Sequence, residues 1–148
     1  CLLSRGLGDV YKRQPFVLNC FYFCEPDGRS DYVQTKEALP ADERTPNMGE
    51  LVFRHIYCTD CHIAAAFFYG LPEKKIKSVF MEDVRIRYAK DARPGLPAMM
   101  CGVEKMCRKG LFFRNVERLC LKGIDIRGQE SEAIDAADVD VIIREVQE

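Results

Sequence analysis

Two cysteine spacings are the first chemistry this sequence offers. Cys20-x3-Cys24 and Cys58-x2-Cys61, the second followed at once by His62, carry the ligand types of a closed zinc site. Four thiolates, or three with an imidazole, would complete it. The stretch between the pairs is long and the pairs are unequally spaced, which weakens that reading. Cys20, Cys58, Cys61, Cys101, Cys107 and Cys120 mostly lie in or beside apolar stretches. There a reduced thiol behaves as a small hydrophobe. Packed thiols are therefore preferred, no metal or other cofactor is assigned, and zinc stays as the alternative. Eight Cys also raise the idea of a disulfide scaffold. Such scaffolds are short, secreted and poor in core residues, so the thiol-rich composition leans instead towards a reducing, cytoplasmic compartment.

The chain that must position such groups has 148 residues, room for one ordinary domain. Its 22 Lys and Arg against 23 Asp and Glu leave a net charge of −1. That balance supplies no electrostatic footprint for nucleic acid or an anionic membrane. A hydrophobic content of 47% with nine Phe and six Tyr is that of a chain with a core to bury. The longest nearly uncharged apolar run, Ile63 to Leu71, is far shorter than the about 20 residues of a membrane-spanning helix. Neither a nucleic-acid nor a membrane partner is expected. The first residue is Cys, so the chain reads as processed or as a fragment. Cys1 to Gln14 scatters Arg, Gly and Lys among apolar residues with no clean period and resembles adapter-like read-through. It is set apart as residues 1–14, with a genuine loop or strand as the alternative, and residues 15–148 are taken as one domain.

An internal repeat dominates that domain. Leu51, Phe53, Ile56 and Cys58 form an apolar-x-apolar-x-x-apolar-x-apolar pattern. Val79, Met81, Val84 and Ile86 repeat it 28 residues later, and Leu119, Leu121, Ile124 and Ile126 repeat it 40 residues after that. Repeats of about 20–50 residues mark solenoids. Two period-2 runs with one extra residue between them predict two strands meeting at a bend. Further strand-like pieces are His62 to Tyr69, Ala98 to Cys101 and Leu111 to Phe113. They are bounded by the turn sequences Gly70-Leu71-Pro72, Pro94-Gly95-Leu96-Pro97 and Lys109-Gly110. Each repeat then matches one coil of a parallel β-helix, whose apolar face is buried only by stacking on the next coil. The unequal offsets predict a loop insertion around Lys90 to Pro97 or Glu104 to Gly110, and charged Glu37 to Arg44 reads as an exposed loop. A β-sandwich of hairpins is the alternative. Ile134, Val139, Val141 and Ile143 read as a partial further coil, with a capping helix over Ala133 to Val146 as the other possibility.

Three long segments give these coils a family likeness: PFVLNCFYFCEPDGRSDYV, FRHIYCTDCHIAAAFFYGLPEKKI and GLPAMMCGVEKMCRKGLFFRNV. Over about Pro15 to Gln129 the chain resembles the C-terminal coils of glycoside hydrolase family 28, the polygalacturonase-like enzymes of pectin degradation. The resemblance implies an all-β, right-handed parallel β-helix, truncated here to its C-terminal coils. It implies inverting hydrolysis of α-1,4-galacturonosyl bonds in pectin or oligogalacturonides by the parent protein. The family's Asn-Thr-Asp, Asp-Asp, Gly-His-Gly and Arg-Ile-Lys segments do not occur here. Thr59-Asp60 lacks the Asn, His55 and His62 lack flanking Gly, and Arg85-Ile86-Arg87 falls in a repeat strand. An inverting hydrolase needs an acid and a base about 6.5–9.5 Å apart. Without those carboxylates the chain is expected to be inactive alone, and no catalytic residue is assigned. A noncatalytic β-helical carbohydrate-binding or adhesin-like module is the alternative function.

The resemblance carries over one substrate-contacting residue. Pro15-Phe16-Val17-Leu18-Asn19-Cys20-Phe21-Tyr22 matches the family's Pro-led strand, which makes Tyr22 the sugar-contacting aromatic. A phenol suits that task, its ring covering the apolar face of a pyranose while its hydroxyl bonds a polar edge. Asn19 on the same run offers an amide donor and acceptor. Tyr69, ahead of Gly70-Leu71-Pro72-Glu73, could reach the cleft, with core packing as its other fate. Tyr22 equally fits an ordinary strand aromatic. The expected partner is a galacturonate-containing oligo- or polysaccharide, whose carboxylates need basic groups. Arg29, Arg44, Lys74, Lys75, Arg108 and Lys109 lie on predicted turns, and the sequence singles out none of them.

Overall fold

The computed structural model describes residues 14–23, 26–98, 100 and 102–145. Residues 1–13, together with Cys24 and Cys101, lie outside the described residues. Six strands carry the fold: β1 Val17–Asn19, β2 Glu50–Cys61, β3 Ala64–Tyr69, β4 Ile76–Tyr88, β5 Lys109–Arg127 and β6 Ile134–Glu145. β1 pairs with β3, β3 with β5, β5 with both β4 and β6, and β4 with β2. Each of these ladders is parallel. A sandwich of hairpins needs antiparallel neighbours. The one antiparallel contact among the described residues is an isolated Gly95–Met106 bridge, so that alternative falls. The chain is all-β and mostly one bent parallel sheet.

The repeat is the register. Leu51 pairs with Val79 and Val79 with Leu119, and the sets Phe53–Met81–Leu121, Ile56–Val84–Ile124 and Cys58–Ile86–Ile126 follow in step. Paired residues of a parallel ladder share a face, so all twelve side chains point into one core. Val79, Met81, Val84, Ile86 and Leu119 are fully buried. Each contributes about 1.5–3 kcal/mol through removal from water. The extra residue between the two runs is His55 on β2, Asp83 on β4 and Gly123 on β5, with φ of 53°, 49° and 60°. A left-handed residue there turns the strand, and both runs keep facing inward. Non-glycine residues pay about 1–2 kcal/mol for this conformation, and Asp and His are among the types that adopt it most readily.

A second bend separates the other parallel stack, β3 with the start of β5 and of β6, from the first. Asn115 and Asp138 hold φ of 56° and 55° there. Asn115 is buried, and its side-chain amide donates to the Gly70 carbonyl at 2.9 Å. The Gly70 amide donates in turn to the Arg114 carbonyl at 3.0 Å. A Cβ on Gly70 would stand 2.5 Å from the Asn115 carbonyl oxygen, so this approach admits only glycine. On the inward side Phe68 stacks on Phe113 at 5.2 Å, and on the outward side Phe67 stacks on Phe112 at 4.6 Å.

Three expectations are sharpened. The tail is the strand β6, parallel to β5, and not a capping helix. The insertion is the loop between β4 and β5, and Arg108 ties it down by donating to the Ala89 and Lys90 carbonyls at 3.0 and 2.8 Å. Of the piece Ala98 to Cys101, the described residues Ala98 and Met100 lie in no strand. Met100 instead lies buried with Phe21, Phe67 and Phe112, where a flexible thioether fills the gap over the outward aromatic face.

Candidate functional site

The outward face of the β3–β5 stack is where the chemistry collects. Asn19 pairs with Tyr69 and Tyr69 with Arg114, so one row of the sheet presents amide, phenol and guanidinium side by side. The row ends at the Gly70–Asn115 bend, which sets Tyr69 and Arg114 at the rim. Tyr69 is half-buried, its ring 4.9 Å from that of Phe21 and 6.0 Å from that of Phe112. Burial pushes its phenol above the ordinary value, and the Arg114 charge opposes that shift.

Arg114 is a fixed cation. Its guanidinium lies 4.0 Å from the Phe112 ring centre, donates to the Phe113 and Asp135 carbonyls, and reaches the Asp135 carboxylate at 2.7 Å. Lys109 reaches the other oxygen of Asp135 at 2.6 Å. Burial alone would raise the Asp135 carboxyl, yet the hydrogen bonds and charges of Lys109 and Arg114 hold it below the usual carboxylate value.

Two lysines complete the rim. The turn after β3 brings Lys75 alongside, paired with Asp140. A short helix, α1 Asp31–Gln34, is capped by Ser30 and delivers Lys36. The Gln34 side chain anchors that helix by donating to the Phe21 and Gly28 carbonyls at 3.0 and 2.7 Å. Lys36 sits 3.7 Å from the Phe21 ring centre and 5.8 Å from that of Tyr69. Between these groups lies a cleft of about 280 Å3, lined by Lys36, Glu37, Tyr69, Lys75, Arg114 and Asp138. An aromatic face beside several cations can cover the apolar side of a pyranose and hold a carboxylate. Glu37 and Asp138 can accept from hydroxyls.

Of the three residues singled out from the sequence, one lines the cleft and two do not. Tyr69 lines the cleft and also packs on its aromatic neighbours. Asn19 is its ladder partner, but its amide is engaged locally: it accepts from the Phe21 amide at 3.1 Å and donates to the Ala98 carbonyl at 3.5 Å. Tyr22 is 45% exposed, its ring 6.0 Å from Phe23, and it lies outside this cleft. Phe21, its neighbour, is the one turned inward. Arg114 and Lys36 were missed. Aligning Phe67-Phe68-Tyr69 with Phe112-Phe113-Arg114 would have placed Arg114 beside Tyr69, whereas nothing local marks Lys36.

The described cysteines are unbridged and lie apart from this cleft. Cys20, Cys58, Cys61, Cys107 and Cys120 are free thiols, and Cys24 lies outside the described residues. Cys20 meets Met48 sulfur to sulfur at 3.8 Å. Burial pushes Cys61 up to about 12 and Cys20 up to about 11. Among the described residues no group of three or more His, Cys, Asp or Glu is arranged to hold a metal ion. Among them, too, no helix is long and apolar enough to cross a membrane. Compared with family models, curated proteins and solved structures, the chain matches none.

Proposed function

We propose that this chain forms coils of a right-handed parallel β-helix of the glycoside hydrolase family 28 kind, and that its Tyr69–Arg114 cleft holds a galacturonate unit of a pectic oligo- or polysaccharide. The parallel ladders, the constant register of the repeats and the paired bends support the coil reading. The handedness follows the rule that parallel crossovers are right-handed in nearly all cases. One observation carries the ligand reading: a half-buried Tyr stands beside a carboxylate-fixed Arg on one row of the sheet, with Lys36 and Lys75 at the rim. Asn19, next in the row, is the ladder partner of Tyr69, and Tyr22 contacts the chain of sugars farther out. Hydrolysis belongs to a longer parent carrying the Asn-Thr-Asp and Gly-His-Gly segments. The second reading is a noncatalytic carbohydrate-binding module using the same cleft, which needs no catalytic carboxylates to hold a sugar. An open reading frame upstream with those segments decides for the hydrolase.

Titration calorimetry of the chain with trigalacturonate tests the site. Saturable binding is expected, weakened about tenfold by Tyr69→Ala, in line with about 0.5–1.5 kcal/mol for an aromatic contact beyond its buried area. Binding that survives both Tyr69→Ala and Arg114→Ala would place the ligand elsewhere.

A further inference from the structure

One outward row of the sheet alternates in charge from end to end. Arg54 on β2 pairs with Glu82 on β4, Glu82 with Lys122 on β5, and Lys122 with Glu145 on β6. The charged atoms meet at 3.1, 3.3 and 3.8 Å in that order. The two ends of the row are unlike. Arg54 closes it at the β2 edge with 56% of its side chain exposed, and Glu145 closes it at the β6 edge with 58% exposed. Among the described residues no strand pairs with the far side of β2 or of β6.

Laying the β6 edge of one copy on the β2 edge of another, in the register the sheet already uses, sets Glu145 against Arg54. The alternation then runs on through both copies. The same register sets Ile142 over Leu51 and Ile143 over Val52, and Ile142, Ile143 and Val52 are exposed large hydrophobics in the single chain. Arg144 occupies the inward place that Met81 and Leu121 hold in the coils before it. In the stack it would cover the Phe53 ring, a contact cations make favourably with aromatic faces. On the adjoining stack, Ile134 and Ala136 would meet Phe16 and Leu18. Unpaired parallel edges template such additions.

We propose that the chain associates with a second copy of itself head to tail, β6 on β2, through a contact that does not close and so builds open stacks. This does not rest on the carbohydrate reading, and it concerns the 148-residue chain itself, because coils of a longer parent would cover the β2 edge. The test is sedimentation velocity and light scattering of the full chain over a concentration series, with Glu145→Arg and Arg54→Glu. The wild-type mass should rise with concentration beyond a dimer. Each variant alone should weaken association about tenfold or more, since each sets like charges together. An equimolar mixture of the two should restore it, because every junction then pairs opposite charges. Exposed ion pairs contribute little to stability, so both variants should keep the fold. If Arg54→Glu does not, Ile142→Asp must abolish association in its place. A wild-type chain monomeric throughout, or association indifferent to the swaps and to their mixing, overturns the proposal.

Discussion

Tyr69 on β3 and Arg114 on β5 are direct partners in a parallel ladder, so a phenol and a guanidinium leave the sheet on the same side, one strand apart. Neither can move independently. Tyr69 is held by Phe21 and Phe112, and Arg114 by Asp135 and two carbonyls. A site so constrained loses little side-chain freedom when a ligand enters.

The bend at Asn115 fixes that pair, which gives a stability prediction. Asn115→Ala removes the donor to the buried Gly70 carbonyl and should cost about 1–3 kcal/mol by urea denaturation. Asn115→Gly should cost less, because it loses the same bond but relieves the left-handed backbone. Asn115→Asp should cost more, since an acceptor would face an acceptor. A reversed order would mean that the side-chain bond does not hold the bend.

The parallel sheet was legible because the repeat has two constraints in one pattern: Phe53, Met81 and Leu121 must face inward, and Ile56, Val84 and Ile124 must too. Only a turn at the intervening residue satisfies both. The cleft was far less legible. Tyr69 was visible as an aromatic before a turn, but its partner Arg114 lies 45 residues on, and Lys36 arrives on a loop whose path depends on Gln34 reaching Phe21. The choice between Phe21 and Tyr22 turns on one residue of register where β1 has already ended, and alternation no longer decides which ring faces in.

Acid should loosen the sheet rows. Hydrogen bonds from Lys122, His55 and Arg87 hold Glu82, Asp83 and Asp125 below the ordinary carboxylate value. A depressed folded-state value means stability that is present above the unfolded value, near pH 4, and is lost as pH falls through the lower folded one. The melting temperature should stay nearly level from about pH 7 to 5 and fall below about pH 4. A level profile down to pH 2 would show that these pairs contribute nothing.

The thiols should report burial. Cys61 is 2% exposed and, like Cys20, raised well above the ordinary thiol value by desolvation. At pH 8 both should resist iodoacetamide in the folded chain and react on denaturation, read by peptide mass spectrometry. Raised thiols favour the folded state while neutral, so that stability should fade as pH climbs above about 9. Rapid native-state labelling of Cys61 would contradict its place in the core.

The chain alone should release no reducing ends from polygalacturonate. Hydrolysis with inversion needs an acid and a base across the scissile bond, and the sequence lacks the segments that supply them in the family proposed for it. Turnover that follows the protein through repeated purification would contradict both the alignment and the division of labour proposed for the parent.

The claim that matters most is that cations beside an aromatic ring select an acidic sugar. Affinity for trigalacturonate should be compared, in one buffer, with affinity for its fully methyl-esterified form and for trigalactose. The account predicts that the acid binds about tenfold or more tightly than either neutral ligand, and that Arg114→Leu removes the difference. Equal affinity for all three, or a preference untouched by Arg114→Leu, would contradict it.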